Sequence, residues 1–214
     1  MRRLLRKLLR PVAWLVFRGT RVFYRVWLRY AQFEDVEGLR IVDLARGDVR
    51  ARRALLKQAA RLINTVQPYR LQQIRRYLRH IVVSPTGGSG EYWYGLGVCV
   101  LDPDYLGVSD AIATAMLLIH ESAHGRLDRW RIRTTPRNAD RVEQLCVAAE
   151  VAFAARVPGG EAHSERVRRS LHDRWWSQER QRDRQRRRIA QLRVPKWVMS
   201  LYDYVMGHPH LHEK

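Results

Sequence analysis

The sequence predicts an α+β fold that is mostly helical and contains one small sheet. Apolar residues recur at helical spacing over residues 1–30, over 48–66 and beyond 109. That period is lost over residues 81–101, which are rich in β-branched and aromatic residues. The chain has 214 residues, of which 46% are hydrophobic. This is enough to bury the core of one domain and to leave terminal appendages.

Charge is the most unusual feature of the composition. The chain has 40 Lys and Arg residues against 21 Asp and Glu, a net charge of +19, and the excess lies at its two ends. A chain of this charge should associate with anionic lipid headgroups or with nucleic acid. Nucleic acid is the less favoured partner, because the sequence contains no zinc-finger, helix-turn-helix or RNP pattern.

Residues 1–30 form the first predicted element, a basic amphipathic helix. Apolar side chains recur on one face and arginines occupy the other. We expect this helix to lie on an anionic membrane surface, where acyl-chain burial and headgroup attraction add. Packing on its own domain is the alternative. The charge-free apolar run over residues 11–17 is far shorter than the roughly 20 residues of a membrane span.

The two cysteines, Cys99 and Cys146, have no CxxC partner. Their positions predict neither a disulfide nor a thiolate zinc site, and they fit a reducing compartment. With no predicted membrane span, the expected location is the cytoplasm, with peripheral attachment to a membrane.

The central elements begin at residue 48. Asp48 starts a helix that stops around Pro68, and a short helix follows over residues 71–78. Two short strands are then predicted over residues 81–83 and 92–101, joined by a glycine-rich turn.

Two strongly apolar helices complete the predicted core. Ser109 is the predicted N-cap of the first helix. Asn138 or Asp140 begins the second, which ends before the Pro-Gly-Gly sequence at 158–160. From Glu161 the composition shifts to Arg, Gln and Glu. The predicted regions are a basic N-terminal segment (1–30), a catalytic core (31–158) and a basic helical extension with a His-rich tail (159–214).

The first apolar helix contains the motif HExxH, formed by His120, Glu121 and His124 with two residues between. The spacing places both imidazoles on one helix face, where both can reach one tetrahedral Zn²⁺. Glu121 can then contact a water on the metal rather than the metal itself. The alternative is a core helix with two hydrogen-bonded histidines. Burial in an apolar helix is costly, however, unless these groups satisfy one another or bind a metal.

Two histidines leave the site one protein ligand short of the three that catalytic zinc sites usually have. A metzincin is excluded, because Leu127 and Trp130 stand where that family has a glycine and a third histidine. The next apolar helix offers two carboxylates, Glu143 and Glu150. They lie two turns apart on the same helix face, so periodicity alone leaves both open.

This arrangement resembles the compact gluzincin metallopeptidases, in which an HExxH helix is followed by a glutamate-bearing helix. The sequence EQLCVAAE at residues 143–150 is similar to the E-x-x-x-x-A-A-E-like stretch of several bacterial members. The resemblance covers residues 48–158 and implies a zincin-like fold. It also implies that Glu143 is the third zinc ligand. Glu150 would then support a ligand by hydrogen bonding, or would be the alternative ligand.

The resemblance also implies a mechanism and a substrate. In such an enzyme Zn²⁺ lowers the pKa of a water toward about 7 and polarises the scissile carbonyl. Glu121 passes the proton of that water to the leaving amine. Residues 94–100 would be an edge strand along which an extended peptide pairs, with Gly95 and Gly97 allowing close approach or marking a bulge. The expected activity is that of a zinc metallopeptidase acting on peptides or proteins.

Two alternatives to a zinc peptidase with its metal at HExxH remain open from the sequence alone. One is a basic protein associated with a membrane surface or nucleic acid, whose HExxH is not catalytic. The other places the metal at the tail histidines His208, His210 and His212. Alternating histidines near a chain terminus are typical of weak, adventitious metal binding.

Overall fold

A computed structural model describes residues 26–135, 137–172 and 183. Most of the predicted N-terminal helix lies outside the described residues. So do the His-rich tail and, apart from Asp183, the arginine-rich run before it.

The chain divides into two units. One consists of Met1–Gln32 and Ile189–Lys214, and the other of Phe33–Arg188. In the first unit, residues 26–30 are helical and form the described part of helix α1. The second unit contains the HExxH motif and the remaining described elements.

The second unit is α+β and mostly helical, which confirms the predicted fold class. Its strands are β1 (Glu34–Val36), β2 (Leu39–Asp43), β3 (His80–Val83), β4 (Gly90–Trp93) and β5 (Val98–Leu101). Its described helices are α2 (Val49–Val66), α3 (Pro68–Tyr77), α4 (Pro103–Val108), α5 (Ala111–Arg129), α6 (Ala139–Ala154) and α7 (Gly160–His172). Sequence analysis missed the β1–β2 hairpin and helix α4, because segments this short show little periodicity.

Three helix starts were predicted from polar residues, and one of them is wrong. Asn138, one of the two residues predicted to begin α6, is its N-cap. The predicted start of α2 near Asp48 is confirmed, and the Asp48 carboxylate caps this helix by accepting the backbone N–H of Ala51 at 2.9 Å. The cap of α5 is Asp110, which accepts the backbone N–H of Ala113 at 2.8 Å. Ser109 instead donates its hydroxyl to the Tyr105 carbonyl at 2.7 Å and so closes α4.

The five strands form one mixed sheet in the order β1-β2-β3-β5-β4. Strands β2, β3 and β5 are parallel, whereas β1 and β4 pair antiparallel with their neighbours at the two edges. The inner strands β3 and β5 are almost entirely buried. From Ile81 onward β3 is continuously apolar, as is β5, which is the pattern expected for strands covered on both faces.

The prediction of one strand over residues 92–101 is wrong. The chain reverses direction between β4 and β5, which pair antiparallel with Trp93 opposite Val98. Gly95 and Gly97 lie in this turn with φ angles of 75° and 69°, a left-handed conformation that glycine adopts without steric cost. They are turn residues rather than part of a substrate-binding edge strand. The edge strand at this side of the sheet is β4.

Helix α5 is central to the second unit. It packs against α2, α3, α6 and α7, and against strands β4 and β5. Gly125 allows the close approach to α3, since a Cβ at this position would lie 3.0 Å from the Tyr77 carbonyl oxygen. The HExxH residues of α5 are therefore buried by the surrounding elements, and α6 packs beside this helix.

Helix α7 packs against α6 and α5, so residues 160–172 contribute to the same core as the motif helix. None of the described helices is both long and apolar enough to cross a membrane.

Candidate metal centre

The two histidines of the motif lie on one face of α5, as their spacing predicts. Both are buried, with 3% of His120 and 6% of His124 exposed. Their Nε2 atoms are 3.1 Å apart. Two imidazole nitrogens at this separation can bind one cation between them.

Glu143 extends from α6 toward the same point. One of its carboxylate oxygens lies 3.3 Å from Nε2 of His120, and the other lies 3.5 Å from Nε2 of His124. For metal bonds of about 2.0–2.1 Å, the ligand atoms of a tetrahedral zinc site are about 3.3 to 3.4 Å apart. The three separations are close to this value, and the two that involve Glu143 are made by its two different oxygens. The two nitrogens and the carboxylate can therefore enclose one small cation.

The other ring nitrogen of each histidine makes a hydrogen bond that faces away from this point. Nδ1 of His120 contacts the Glu150 carboxylate. An ionised carboxylate only accepts hydrogen bonds, so Nδ1 carries the proton and Nε2 is the nitrogen available to a metal. Nδ1 of His124 lies 2.9 Å from the hydroxyl of Tyr94, which also contacts Thr134 Oγ1. Glu150 and Tyr94 therefore orient the two imidazoles.

The electrostatics of this cluster favour a positive charge within it. Burial raises the pKa of Glu143, but hydrogen bonds and charge interactions with the two histidines outweigh burial and lower that pKa to about 2. Burial lowers the pKa of His120, but the carboxylates of Glu150 and Glu143 outweigh it and hold this pKa well above its ordinary value. Two buried carboxylates thus face two imidazoles, and a cation among them, either a proton or a metal ion, offsets their charge.

Sequence analysis missed Cys146. This residue is fully buried on α6, and its sulfur and one ring nitrogen of each motif histidine lie within 4.8 Å of one another. The three residues form a buried group that can hold a metal ion. The absence of a CxxC pattern pointed away from this cysteine. Its position three residues after Glu143 was the available signal, because that spacing places the two residues on one helix face.

Tyr94 was also missed as a site residue, because its role depends on the turn between β4 and β5. The Asp128 carboxylate accepts the backbone N–H of Gly95 at 2.6 Å and the hydroxyl of Tyr92 at 3.1 Å. These contacts connect the turn to the last part of α5. Asp128 therefore positions Tyr94, which in turn orients His124.

Glu121 lies on the side of α5 that faces strand β4. It is 3% exposed, and one of its carboxylate oxygens lies 3.5 Å from where a Cβ on Gly90 would be. The absence of a side chain at Gly90 leaves space beside this carboxylate.

A cavity of about 140 Å³ adjoins His120, Glu121 and Glu150. Its other walls come from α4 to α7 and from the loop before β4, and include the apolar side chains Met116, Leu117, Val147 and Val167. A cavity of about this volume accommodates a group the size of a benzene ring. Space for one side chain of a ligand therefore lies directly beside the histidine and carboxylate cluster.

Comparison of the chain with protein-family models, with curated proteins and with solved structures found no match. Function is therefore inferred from the donor set and from the cavity beside it.

Proposed function

We propose that the protein is a zinc-dependent metallopeptidase with a zincin-like core, in which His120, His124 and Glu143 hold Zn²⁺. The observation that carries this proposal is the convergence of two Nε2 atoms and one carboxylate, with separations of 3.1, 3.3 and 3.5 Å. Imidazole and carboxylate are donors that zinc accepts, and a His₂Glu set is found in catalytic zinc sites. The hydrogen bonds at both Nδ1 atoms support the proposal, because metal-binding histidines usually have such partners.

Glu121 is the proposed general base. Bound Zn²⁺ supplies a Lewis acid that polarises a scissile carbonyl and acidifies a water. Glu121 adjoins the first histidine and the cavity, so its carboxylate can take a proton from this water and deliver it to the leaving amine. Its burial keeps the carboxylate out of bulk solvent, where proton exchange with water would compete.

Strand β4 and the cavity are the proposed substrate-binding features. As an edge strand, β4 can pair with an extended peptide through backbone hydrogen bonds. Gly90 lies on this strand beside Glu121, so a peptide bound there passes close to the proposed base. The cavity then receives one side chain of the substrate, and its walls combine apolar side chains with the polar groups of His163 and Arg166.

The proposal is tested with the variant Glu121→Gln. The amide keeps the shape of the side chain and cannot accept the proton, so we expect full zinc content and a loss of hydrolysis of at least about 100-fold. Zinc is measured by mass spectrometry on the untagged full-length protein, and hydrolysis with a mixture of quenched fluorogenic peptides.

Glu161→Gln is the matched control, because it makes the same change on the exposed surface of α7. This variant should retain both zinc and activity. Loss of zinc together with activity in Glu121→Gln would contradict the role of Glu121 as a base. Measurable hydrolysis that is equal in Glu121→Gln and the unmodified protein would contradict the proposed function.

A further inference from the structure

Cys146 is the buried group of the metal centre to which the proposed hydrolysis gives no role. It lies on α6 one helical turn after Glu143, and it faces the histidines of α5. Helix α5 presents an i, i+4 pair of histidines, and Glu143 and Cys146, an i, i+3 pair on α6, each approach that histidine pair.

The distances leave Cys146 close to a bonding position. For a tetrahedral zinc with bonds of about 2.3 Å to sulfur and about 2.0–2.1 Å to nitrogen, the two ligand atoms are about 3.5 Å apart. The Cys146 sulfur and a ring nitrogen of each histidine are within 4.8 Å of one another. A movement of the sulfur by at most about 1.3 Å closes the difference, and rotation about the Cα–Cβ bond of Cys146 can supply it.

The donor count supports the same conclusion. His120, His124 and Glu143 supply three protein ligands, and a tetrahedral ion takes four. A cysteine sulfur is a strong zinc ligand, and Cys146 lies beside the two histidines within the described part of the chain.

We propose that the Cys146 thiolate is a fourth protein ligand of the metal centre and keeps the resting site closed. The latent state rests on the proposed metallopeptidase function and deepens it, because it concerns the regulation of the same site. Catalytic zinc sites keep one position open for water or substrate, whereas sites with four protein ligands are closed. The protein is therefore latent while Cys146 is bound, and removal of the sulfur opens the fourth position.

The ligand role is tested by a readout that does not depend on activity. The full-length protein is depleted of metal and loaded with Co²⁺, which replaces Zn²⁺ in tetrahedral sites and absorbs light. A sulfur-to-cobalt charge-transfer band in the near ultraviolet is expected in the unmodified protein and should be lost in Cys146→Ala. The inference is overturned if the unmodified protein shows no such band, whether cobalt binds without a sulfur ligand or does not bind at all.

Cys99→Ala is the matched control. Cys99 is the only other cysteine of the chain, is equally buried, and lies in β5 outside the metal-binding group. The charge-transfer band should persist in this variant. A band that disappears in Cys99→Ala and persists in Cys146→Ala would identify Cys99 as the sulfur ligand and overturn the inference.

The consequence for regulation is tested on the same variants with Zn²⁺. Loss of a protein ligand should weaken zinc binding in Cys146→Ala by at least about 100-fold, a larger effect than loss of a group that only supports a ligand. At saturating zinc, hydrolysis of the fluorogenic peptides per bound ion should rise at least about 10-fold. Unchanged affinity and unchanged hydrolysis would overturn the latent state.

The two proposals fail in different ways. A sulfur band in the unmodified protein, with no hydrolysis by any zinc-loaded variant, supports the ligand role of Cys146 and contradicts the metallopeptidase function. Hydrolysis that depends on Glu121, in a protein that shows no sulfur band, supports the function and contradicts the inference about Cys146.

Discussion

Each histidine of the motif uses its two ring nitrogens for different contacts. At His120, Nε2 faces Glu143 and Nδ1 contacts Glu150. The two glutamates have the same chemistry and lie two turns apart on one helix, yet they meet opposite sides of one imidazole. This difference assigns them different proposed roles: Glu143 binds the metal, and Glu150 orients His120 and increases its basicity.

These roles predict different effects on metal binding. Glu143→Ala removes a proposed ligand, so zinc affinity should fall by more than about 100-fold. Glu150→Ala removes only the hydrogen bond to Nδ1, and affinity should fall by about 10- to 100-fold. Competition with a chromophoric chelator measures both values. A greater loss in Glu150→Ala than in Glu143→Ala would exchange the two roles.

At the level of elements, the site depends on the ends of strands and helices. Asp102 follows β5 and is almost fully buried. One carboxylate oxygen accepts the backbone N–H groups of Thr86 and Gly87 at 2.7 and 2.9 Å, and the other caps α4. This residue therefore joins the loop before β4, which borders the cavity, to the beginning of α4.

We expect Asp102→Ala to lower the free energy of unfolding by about 3 kcal/mol or more. The change leaves several buried N–H groups without an acceptor and also removes a helix cap. Urea denaturation measures the effect. Asp104→Ala is the control, because this carboxylate lies on the exposed surface in the first turn of the same helix and its loss should cost less than about 1 kcal/mol. Equal effects of the two changes would show that the Asp102 contacts contribute little.

At the scale of the whole molecule, many of the basic residues and the candidate metal centre lie in different parts of the chain. The metal centre lies between α5 and α6, whereas many of the basic residues precede residue 26 or follow residue 172. Such a distribution is typical of a protein whose basic ends contact an anionic surface.

This separation predicts how the protein interacts with membranes. The full-length protein should sediment with anionic liposomes at low salt, and deletion of residues 1–30 should release it without changing its zinc content. Each Lys or Arg near such a surface contributes about 1 kcal/mol, and seven of them precede Arg25. Raised salt should weaken binding without abolishing it, because apolar side chains are also buried at the interface.

Two results would contradict this interpretation. Equal sedimentation of the truncated and full-length proteins would exclude residues 1–30 as the anchor. A shift of nucleic-acid probes with a steep salt dependence, without binding to liposomes, would identify nucleic acid as the partner of the basic segments.

The sequence by itself determined the class of the fold, most of the helices and the histidine pair of the candidate metal centre. These features depend on local spacing: period 3.6 for the helices and a separation of four positions along the chain for His120 and His124. Only the tertiary structure separated Glu143 from Glu150, since helical periodicity places both on one face. It also placed Gly95 and Gly97 in a turn and brought Cys146 and Tyr94 to the histidines. Such contacts join segments distant along the chain, and they arise from how α5, α6 and the β4–β5 turn pack rather than from any local pattern.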